Sequence, residues 1–98
     1  DKAYNLSVID RLSAQAAEAG AQVITFHECS ITGYTFARKL SREQLLDISE
    51  LIPDGPSTQE LIRIARKNQF VILTWWFSLS AGGASTPAPF GKDYWLYR

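Results

Sequence analysis

The chain lacks the features that would indicate a secreted, membrane-spanning or nucleic-acid-binding protein. It has one cysteine in 98 residues, so no internal disulfide can form, and we expect a reducing, cytoplasmic setting. Its 10 basic and 10 acidic residues cancel, which leaves no net positive charge for binding nucleic acid or an anionic membrane. The longest apolar run, at residues 70–77, is far shorter than the roughly 20 residues that cross a bilayer. We therefore expect a soluble protein whose ligand is a small molecule.

Methionine is also absent. The chain opens at Asp1 and stops at Arg98, directly after an aromatic cluster. Neither end resembles a natural terminus, so we expect a fragment of a longer protein. The length suits a single domain over residues 1–98.

A helix followed by a strand is predicted near the start of the chain. Apolar residues recur at three- and four-residue steps from Leu6 to Ala19, which predicts an amphipathic helix. Asn5 can cap its first turn, and Gly20 can end it in the left-handed conformation. Residues 21–26 are rich in β-branched and aromatic side chains, with apolar character on both faces. We expect a central strand that is covered on both sides.

A second set of helices and a second strand follow. Two capping-box patterns predict helix starts on either side of a turn at residues 53–56, which contains two prolines and a glycine. Residues 70–76 are predicted to form another buried strand, and residues 78–89 a loop before an edge strand. Two helix-then-strand units predict an α/β domain. The capping-box pairs are Ser41 with Gln44 and Ser57 with Glu60.

One carboxylate stands where open α/β sheets carry functional groups. Glu28 stands at the C-terminal end of the first predicted strand, and a glycine-containing turn at residues 32–34 follows. Ligands bind at the carboxyl ends of strands in such sheets, because the strand ends border the binding crevice. The sequence therefore predicts a functional site at Glu28.

The residues around Glu28 resemble a known family signature. Residues 17–28 read AEAGAQVITFHE, and residues 32–34 read TGY. Together they resemble the first signature of the carbon-nitrogen hydrolase, or nitrilase, superfamily. The resemblance covers about residues 5–74, and residues 75–98 diverge from it. Three later segments fall in the same order as in that family: the Asp-Gly-Pro turn at 54–56, the helix at 61–65 and the strand at 70–73.

This resemblance implies a fold and a reaction. The fold is an α-β-β-α sandwich, of which the chain would form part, assembled into a homo-oligomer. The reaction is hydrolysis of a non-peptide carbon-nitrogen bond in a nitrile, amide or carbamoyl substrate by a Glu-Lys-Cys triad, without a cofactor. Glu28 matches the catalytic glutamate. Tyr34 either lines a substrate pocket, as its place in the turn permits, or packs over the edge of the sheet. The triad lysine and cysteine would lie outside the chain, so we expect the chain alone to be inactive.

No catalytic or metal-binding role is predicted for the two neighbours of Glu28. His27 stands where the family usually has proline, and no further ligand type lies at metal-binding spacing from it, so no metal site is predicted. Cys29 directly follows Glu28, and adjacent residues on an extended strand project to opposite faces. We expect Cys29 to be a core or loop thiol. The alternative to an enzyme is a non-catalytic interaction or structural module that keeps the scaffold without the triad.

Overall fold

The computed structural model of the chain describes residues 1–33, 35, 37–79 and 91–97. Helices and strands alternate along them, as the α/β prediction requires. The helices are α1 (Lys2–Glu18), α2 (Arg42–Ile48) and α3 (Pro56–Asn68), with a short 3-10 turn at Ala37–Lys39; the strands are β1 (Val23–Thr25), β2 (Glu50–Leu51), β3 (Val71–Leu79) and β4 (Gly91–Tyr97).

The sheet is organised around β3. Strands β1 and β2 pair with it in parallel, and β4 pairs with it antiparallel. Both β1 and β4 are in register with Ile72 and Leu73, so they must lie on opposite edges of β3. Ser78 likewise pairs with both β2 and β4, which places β2 on the same edge as β1, farther along β3. The described sheet is therefore mixed, with its parallel pairs on one edge of β3.

Helix α1 begins earlier than the sequence predicts. Asp1 is its N-cap, and Asp1 Oδ1 accepts a hydrogen bond from the backbone N–H of Tyr4 at 3.0 Å. The prediction that Asn5 caps the helix is wrong, because residues 2–5 are already helical. Gly20 follows the end of the helix with φ +89°, so the predicted left-handed termination is confirmed.

The sequence predicts that strand β1 is covered on both sides, but in the structure only one side is covered. Ile24 packs against the hydrophobic core, whereas Val23 is 57% exposed and Thr25 is also exposed. Alternate residues of a strand face opposite sides, so the face opposite the core is open to solvent. Within the described residues β1 pairs with β3 alone, which makes it an edge strand there.

The core lies between the sheet and the two longer helices. α1 contributes Ile9, and α3 contributes Leu61, Ile64 and Ala65, each at most 2% exposed. These three residues give α3 an apolar face toward the core. Three further buried residues complete the cluster, and they come from the turn after β1, the link between α3 and β3, and β3 itself. They are Ile31, Phe70 and Ile72.

Ion pairs on the surface also join α1 to α3. Asp10 accepts hydrogen bonds from Arg63 Nη2 at 2.9 Å and from Lys67 Nζ at 2.7 Å, and Arg63 also contacts Glu60 at 2.6 Å. The hydrogen bond from Lys67, followed by that from Arg63, holds the pKa of Asp10 below its usual value despite partial burial. Exposed pairs of this kind each stabilise a fold by at most about 1 kcal/mol.

Of the two predicted capping boxes, only the one at α2 forms. The hydroxyl of Ser41 accepts from the backbone N–H of Gln44 at 3.2 Å, and the Gln44 side chain accepts from the Ser41 N–H at 2.9 Å. At α3 the N-cap is Gly55, followed by a proline. The prediction for Ser57 and Glu60 is wrong, because Ser57 lies inside the first turn and is bound to another residue.

Ser57 is bound to Glu50 of β2, whose side chain is 8% exposed. Its carboxylate accepts hydrogen bonds from the backbone N–H of Ser57 at 2.8 Å and from the Ser57 hydroxyl, and Lys2 Nζ lies 2.6 Å away. Burial raises the pKa of Glu50, but the hydrogen bonds from Lys2 and Ser57 outweigh burial, so the pKa is lowered overall. One carboxylate therefore joins α1, β2 and α3.

Within the described residues, no helix is long and apolar enough to cross a membrane.

Candidate catalytic carboxylate site

The candidate site lies in the turn that directly follows β1. The sheet ladder continues one residue past the strand, since Phe26 N–H donates to the Leu73 carbonyl at 3.1 Å. The chain then leaves the sheet, and Glu28 is the first residue of the turn, half-buried. The prediction that a carboxylate stands at the carboxyl end of this strand is therefore confirmed.

The turn is closed by its own backbone. Ser30 N–H donates to the His27 carbonyl at 3.2 Å, and Gly33 N–H donates to the Cys29 carbonyl at 2.7 Å. Cys29 has φ +56° and Gly33 has φ +86°. The second value suits glycine, but the first is uncommon for a side chain of any size. Contacts from the rest of the fold are needed to hold Cys29 in that conformation.

Two elements outside the turn supply such contacts. From α1, Asn5 Nδ2 donates to the Ile31 carbonyl at 2.9 Å. From β3, the hydroxyl of Thr74 lies 3.2 Å from that of Ser30. Ile31 and Thr74 are each 0% exposed. The turn that carries Glu28 is thus held by a helix, a strand and its own burial.

The thiol beside Glu28 is poorly suited to attack a substrate. Cys29 is 1% exposed, and burial raises the pKa of its thiol, with a smaller opposing contribution from a hydrogen bond to Thr32. Because the thiolate is the nucleophilic form, this cysteine stays largely protonated at neutral pH. The expectation of a buried loop thiol fits the structure. The physical reason differs from the one expected, since Cys29 lies in a left-handed turn and not on an extended strand.

His27 lies on the exposed side of the turn. Its Nδ1 is 2.9 Å from the backbone carbonyl oxygen of Glu28. A carbonyl only accepts hydrogen bonds, so Nδ1 must donate. The imidazole thereby contacts the peptide group that follows Glu28. Within the described residues, no group of three His, Cys, Asp or Glu side chains is placed to hold a metal ion.

A groove of about 320 Å³ opens between α1 and this turn. On the helix side, the apolar side chains of Tyr4, Val8 and Leu12 lie four residues apart along α1. The other side includes Phe26 and the polar residues His27 and Ser30. The groove is lined by Tyr4, Asn5, Val8, Ile9, Arg11, Leu12, Phe26, His27 and Ser30. The candidate carboxylate itself is not among the lining residues.

The predicted substrate contact, Tyr34, lies outside the described residues. Sequence reasoning also did not assign the contacts that hold the turn, because Asn5 and Thr74 lie far from it along the chain. It missed Glu50 entirely. A signal for Glu50 was present, since it is the one charged residue in the stretch 48–53, just before the turn that opens α3.

The chain is similar in sequence to one family of known proteins. A sequence model of the family described as carbon-nitrogen hydrolase matches residues 1–84, which include Glu28. A nitrilase of Pyrococcus abyssi (strain GE5 / Orsay) is 36% identical over 62 residues, which is 63% of this chain and 22% of that protein. The chain therefore spans about a fifth of the length of the curated relative that it matches.

Proposed function

Because the chain belongs to the carbon-nitrogen hydrolase family, we propose that it supplies the N-terminal part of a hydrolase that cleaves non-peptide carbon-nitrogen bonds, with Glu28 as its catalytic carboxylate. The observation that carries the proposal is the position of Glu28. It is half-buried, three residues past the end of the parallel strand β1, in a turn held by both α1 and β3. Strand ends of open α/β sheets are where ligands bind.

The chemistry assigned to Glu28 is proton transfer. A thiol is only slightly ionised at neutral pH, so a nucleophilic cysteine needs a nearby carboxylate to take its proton. With an amide substrate, the sulfur adds to the carbonyl carbon, and the C–N bond then breaks as the same carboxyl group returns the proton to the departing nitrogen. Water next cleaves the resulting thioester, which releases the carboxylic acid and restores the thiol. A lysine ammonium group stabilises the negative charge that develops on the substrate. A partly buried carboxylate on a fixed turn suits this role, because its distance to the thiol stays constant.

The other two members of the triad are assigned to parts of the hydrolase outside this chain. The chain has one cysteine, and burial keeps the pKa of the Cys29 thiol raised, so Cys29 is an unsuitable nucleophile. Residues 1–98 alone should therefore be inactive. Tyr34, five residues past Cys29, is proposed to contact substrate at the edge of the site.

The remaining features of the proposal concern the whole hydrolase. Its substrates are nitriles, amides or carbamoyl compounds, and it works without a cofactor, as a cytoplasmic homo-oligomer. Its fold is an α-β-β-α sandwich, in which a second sheet covers the face of β1 opposite the helices. The exposure of Val23 and Thr25 on that face supports this arrangement, since Val23 is apolar and 57% exposed.

A graft tests the role of Glu28. Residues 1–84, the part of the chain that matches the family model, would replace the segment of the Pyrococcus nitrilase that aligns with the same part of that model, and release of ammonia from simple nitriles and amides would be followed. We expect the graft to be active and Glu28→Gln to reduce kcat by roughly 10²- to 10⁴-fold, the usual contribution of a general acid-base group. Glu43→Gln, at an exposed glutamate of α2, is the matched control and should retain full activity.

Three outcomes would count against the proposal. If Glu28→Gln left the rate of the graft intact, the catalytic assignment would be wrong. If the folded graft were inactive with Glu28 in place, the non-catalytic module would be favoured. The unmodified chain of 98 residues provides a further check, because release of ammonia by it alone would contradict the need for a lysine and a cysteine from elsewhere.

A further inference from the structure

Asn5 makes a contact that its place in the helix does not require. It lies in the first turns of α1, where asparagine is a poor helix former because its side chain competes for backbone hydrogen bonds. Its amide instead leaves the helix and donates to the carbonyl of Ile31, 26 residues away, at 2.9 Å. The bond therefore links two segments that are distant in sequence.

The acceptor of this bond belongs to the turn that carries Glu28. Ile31 is 0% exposed and part of the hydrophobic core, so its peptide group has a fixed position and cannot turn to water. Without the Asn5 amide, this carbonyl would lose a partner in a partly buried site, at a cost of about 1–3 kcal/mol for an unsatisfied group. The fixed carbonyl is that of the third residue after Glu28.

The donor is itself held in place. Three residues before Asn5, Lys2 Nζ lies 2.6 Å from the buried carboxylate of Glu50, which also binds the first turn of α3. The start of α1 is thus tied to β2 and α3. Asn5 consequently projects from a helix end that is anchored at a second point, and can hold the turn at a constant distance from the rest of the fold.

We propose that Asn5 is the positioning residue for Glu28: by holding the Ile31 carbonyl, it keeps the turn in the conformation that aims the Glu28 carboxylate. The inference rests on the proposed function, in which Glu28 is the catalytic carboxylate. Asn5 touches no reacting atom in this scheme and acts through the backbone of the turn. Its loss should change the orientation of Glu28 more than it changes the stability of the fold as a whole.

The test uses NMR spectra of the 98-residue chain and its variants. Asn5→Asp keeps the size of the side chain but removes the amide donor. An acidic residue near a helix N-terminus is favourable, so α1 itself should not weaken. We expect the ¹³C resonance of the Glu28 side-chain carboxyl to move, and the amide hydrogens of residues 28–33 to exchange at least about tenfold faster, as loss of one partly buried hydrogen bond implies.

Asn68 provides a matched control. Its Nδ2 donates to the Ile64 carbonyl at the same distance, 2.9 Å, but within α3 and away from the turn. Asn68→Asp should leave the Glu28 resonance and the exchange of residues 28–33 unchanged. Asn5→Gln, which keeps an amide donor, should lie closer to the unmodified chain than Asn5→Ala does.

The proposal is overturned if Asn5→Asp folds with the Glu28 resonance and the exchange of the turn unchanged, or if Asn68→Asp alters both to the same extent. Should Asn5→Asp not fold, the comparison of Asn5→Gln with Asn5→Ala decides, and equal spectra for these two variants would overturn it. None of these measurements depends on turnover. A failure of Asn5 as a positioning residue is therefore distinguishable from a failure of Glu28 in the hydrolysis assay.

Discussion

The hydroxyl oxygens of Ser30 and Thr74 lie 3.2 Å apart, and this contact joins the turn after β1 to strand β3. Thr74 is 0% exposed, whereas Ser30 is partly buried. Either hydroxyl can donate, so the pair satisfies a polar group that β3 would otherwise bury. It is the counterpart, on the sheet side of the turn, of the bond from Asn5.

Removing the Thr74 hydroxyl should destabilise the fold. Thr74→Val keeps the branched shape but leaves Ser30 without this partner, and we expect the free energy of unfolding to fall by about 1 kcal/mol. Urea denaturation measures the loss. Thr25→Val, the same substitution at an exposed position of β1, should change the free energy by less than about 0.5 kcal/mol. Equal effects at the two positions would show that the contact contributes nothing.

Glu50 should make the stability depend on pH. Hydrogen bonds from Lys2 and Ser57 overcome the effect of burial and lower the pKa of Glu50 in the folded chain. A carboxyl group with a lowered folded pKa stabilises above its unfolded pKa, about 4.3 for glutamate, and this contribution disappears as the pH falls through the folded value. Glu50→Gln should therefore cost roughly 2 kcal/mol at neutral pH, the scale of hydrogen bonds to a charged group.

Below pH 4 the difference between the unmodified chain and Glu50→Gln should shrink. Thermal unfolding followed from pH 7 to pH 3 measures it. Glu43→Gln removes an exposed carboxylate by the same chemical change and serves as the control. A constant difference between the unmodified chain and Glu50→Gln across this pH range would contradict the assignment of ion pairing to Glu50.

The sequence was sufficient to predict features that depend on neighbouring residues. The helix periodicity of α1, the capping box of Ser41 with Gln44 and the left-handed Gly20 all involve residues within one or two turns of each other. The position of Glu28 also followed locally, because a strand pattern ends immediately before it. Such patterns need no knowledge of how distant segments pack.

The wrong predictions concern residues whose partners lie outside the local pattern. Asn5 and Ser57 both had valid capping patterns, but their side chains bind other partners: Asn5 binds Ile31, and Ser57 binds Glu50. For β1, apolar residues on both faces indicated burial on both sides. The described fold supplies a covering layer on one face only, so Val23 is exposed. No local pattern contains these partners, because the fold brings them together.

Ser13 should be a site where a substitution stabilises the chain. It is 0% exposed in α1, and among the described residues its hydroxyl has no hydrogen-bond partner. Ser13→Ala removes this buried polar group and improves helix propensity, so we expect the free energy of unfolding to rise by about 1 kcal/mol. Ser7→Ala is the control, since the exposed Ser7 hydroxyl donates to the Tyr4 carbonyl, and it should change the value little. A loss of stability in Ser13→Ala would contradict the assignment.

Gly55 should not tolerate a side chain, although its φ of −65° is open to any residue. A Cβ atom there would lie 2.5 Å from the Leu51 carbonyl oxygen and 2.8 Å from Glu50 Cβ, so Gly55→Ala should cost about 2 kcal/mol through overpacking. At Gly20 nothing lies within 4 Å, but φ is +89°, and Gly20→Ala should cost about 1 kcal/mol through backbone strain.

The two mechanisms at Gly55 and Gly20 are separable by spectroscopy. Overpacking at Gly55 must displace Glu50, so Gly55→Ala should shift the amide resonance of Ser57, which donates to that carboxylate. Gly20→Ala should leave the same resonance in place. If both variants shifted it equally, the short contacts at Gly55 would not explain its loss of stability.

His27 provides a direct check on the conformation around Glu28. Its Nδ1 lies 2.9 Å from the Glu28 carbonyl oxygen, and because that oxygen only accepts, the neutral ring must carry its proton on Nδ1. The chain contains one histidine, so the ¹⁵N spectrum of the ring in mildly alkaline solution reports on this residue alone. We expect Nδ1 to give the signal of a protonated nitrogen and Nε2 that of an unprotonated one. The reverse pattern would show that the contact does not form in solution, and that the peptide after Glu28 is held without the imidazole.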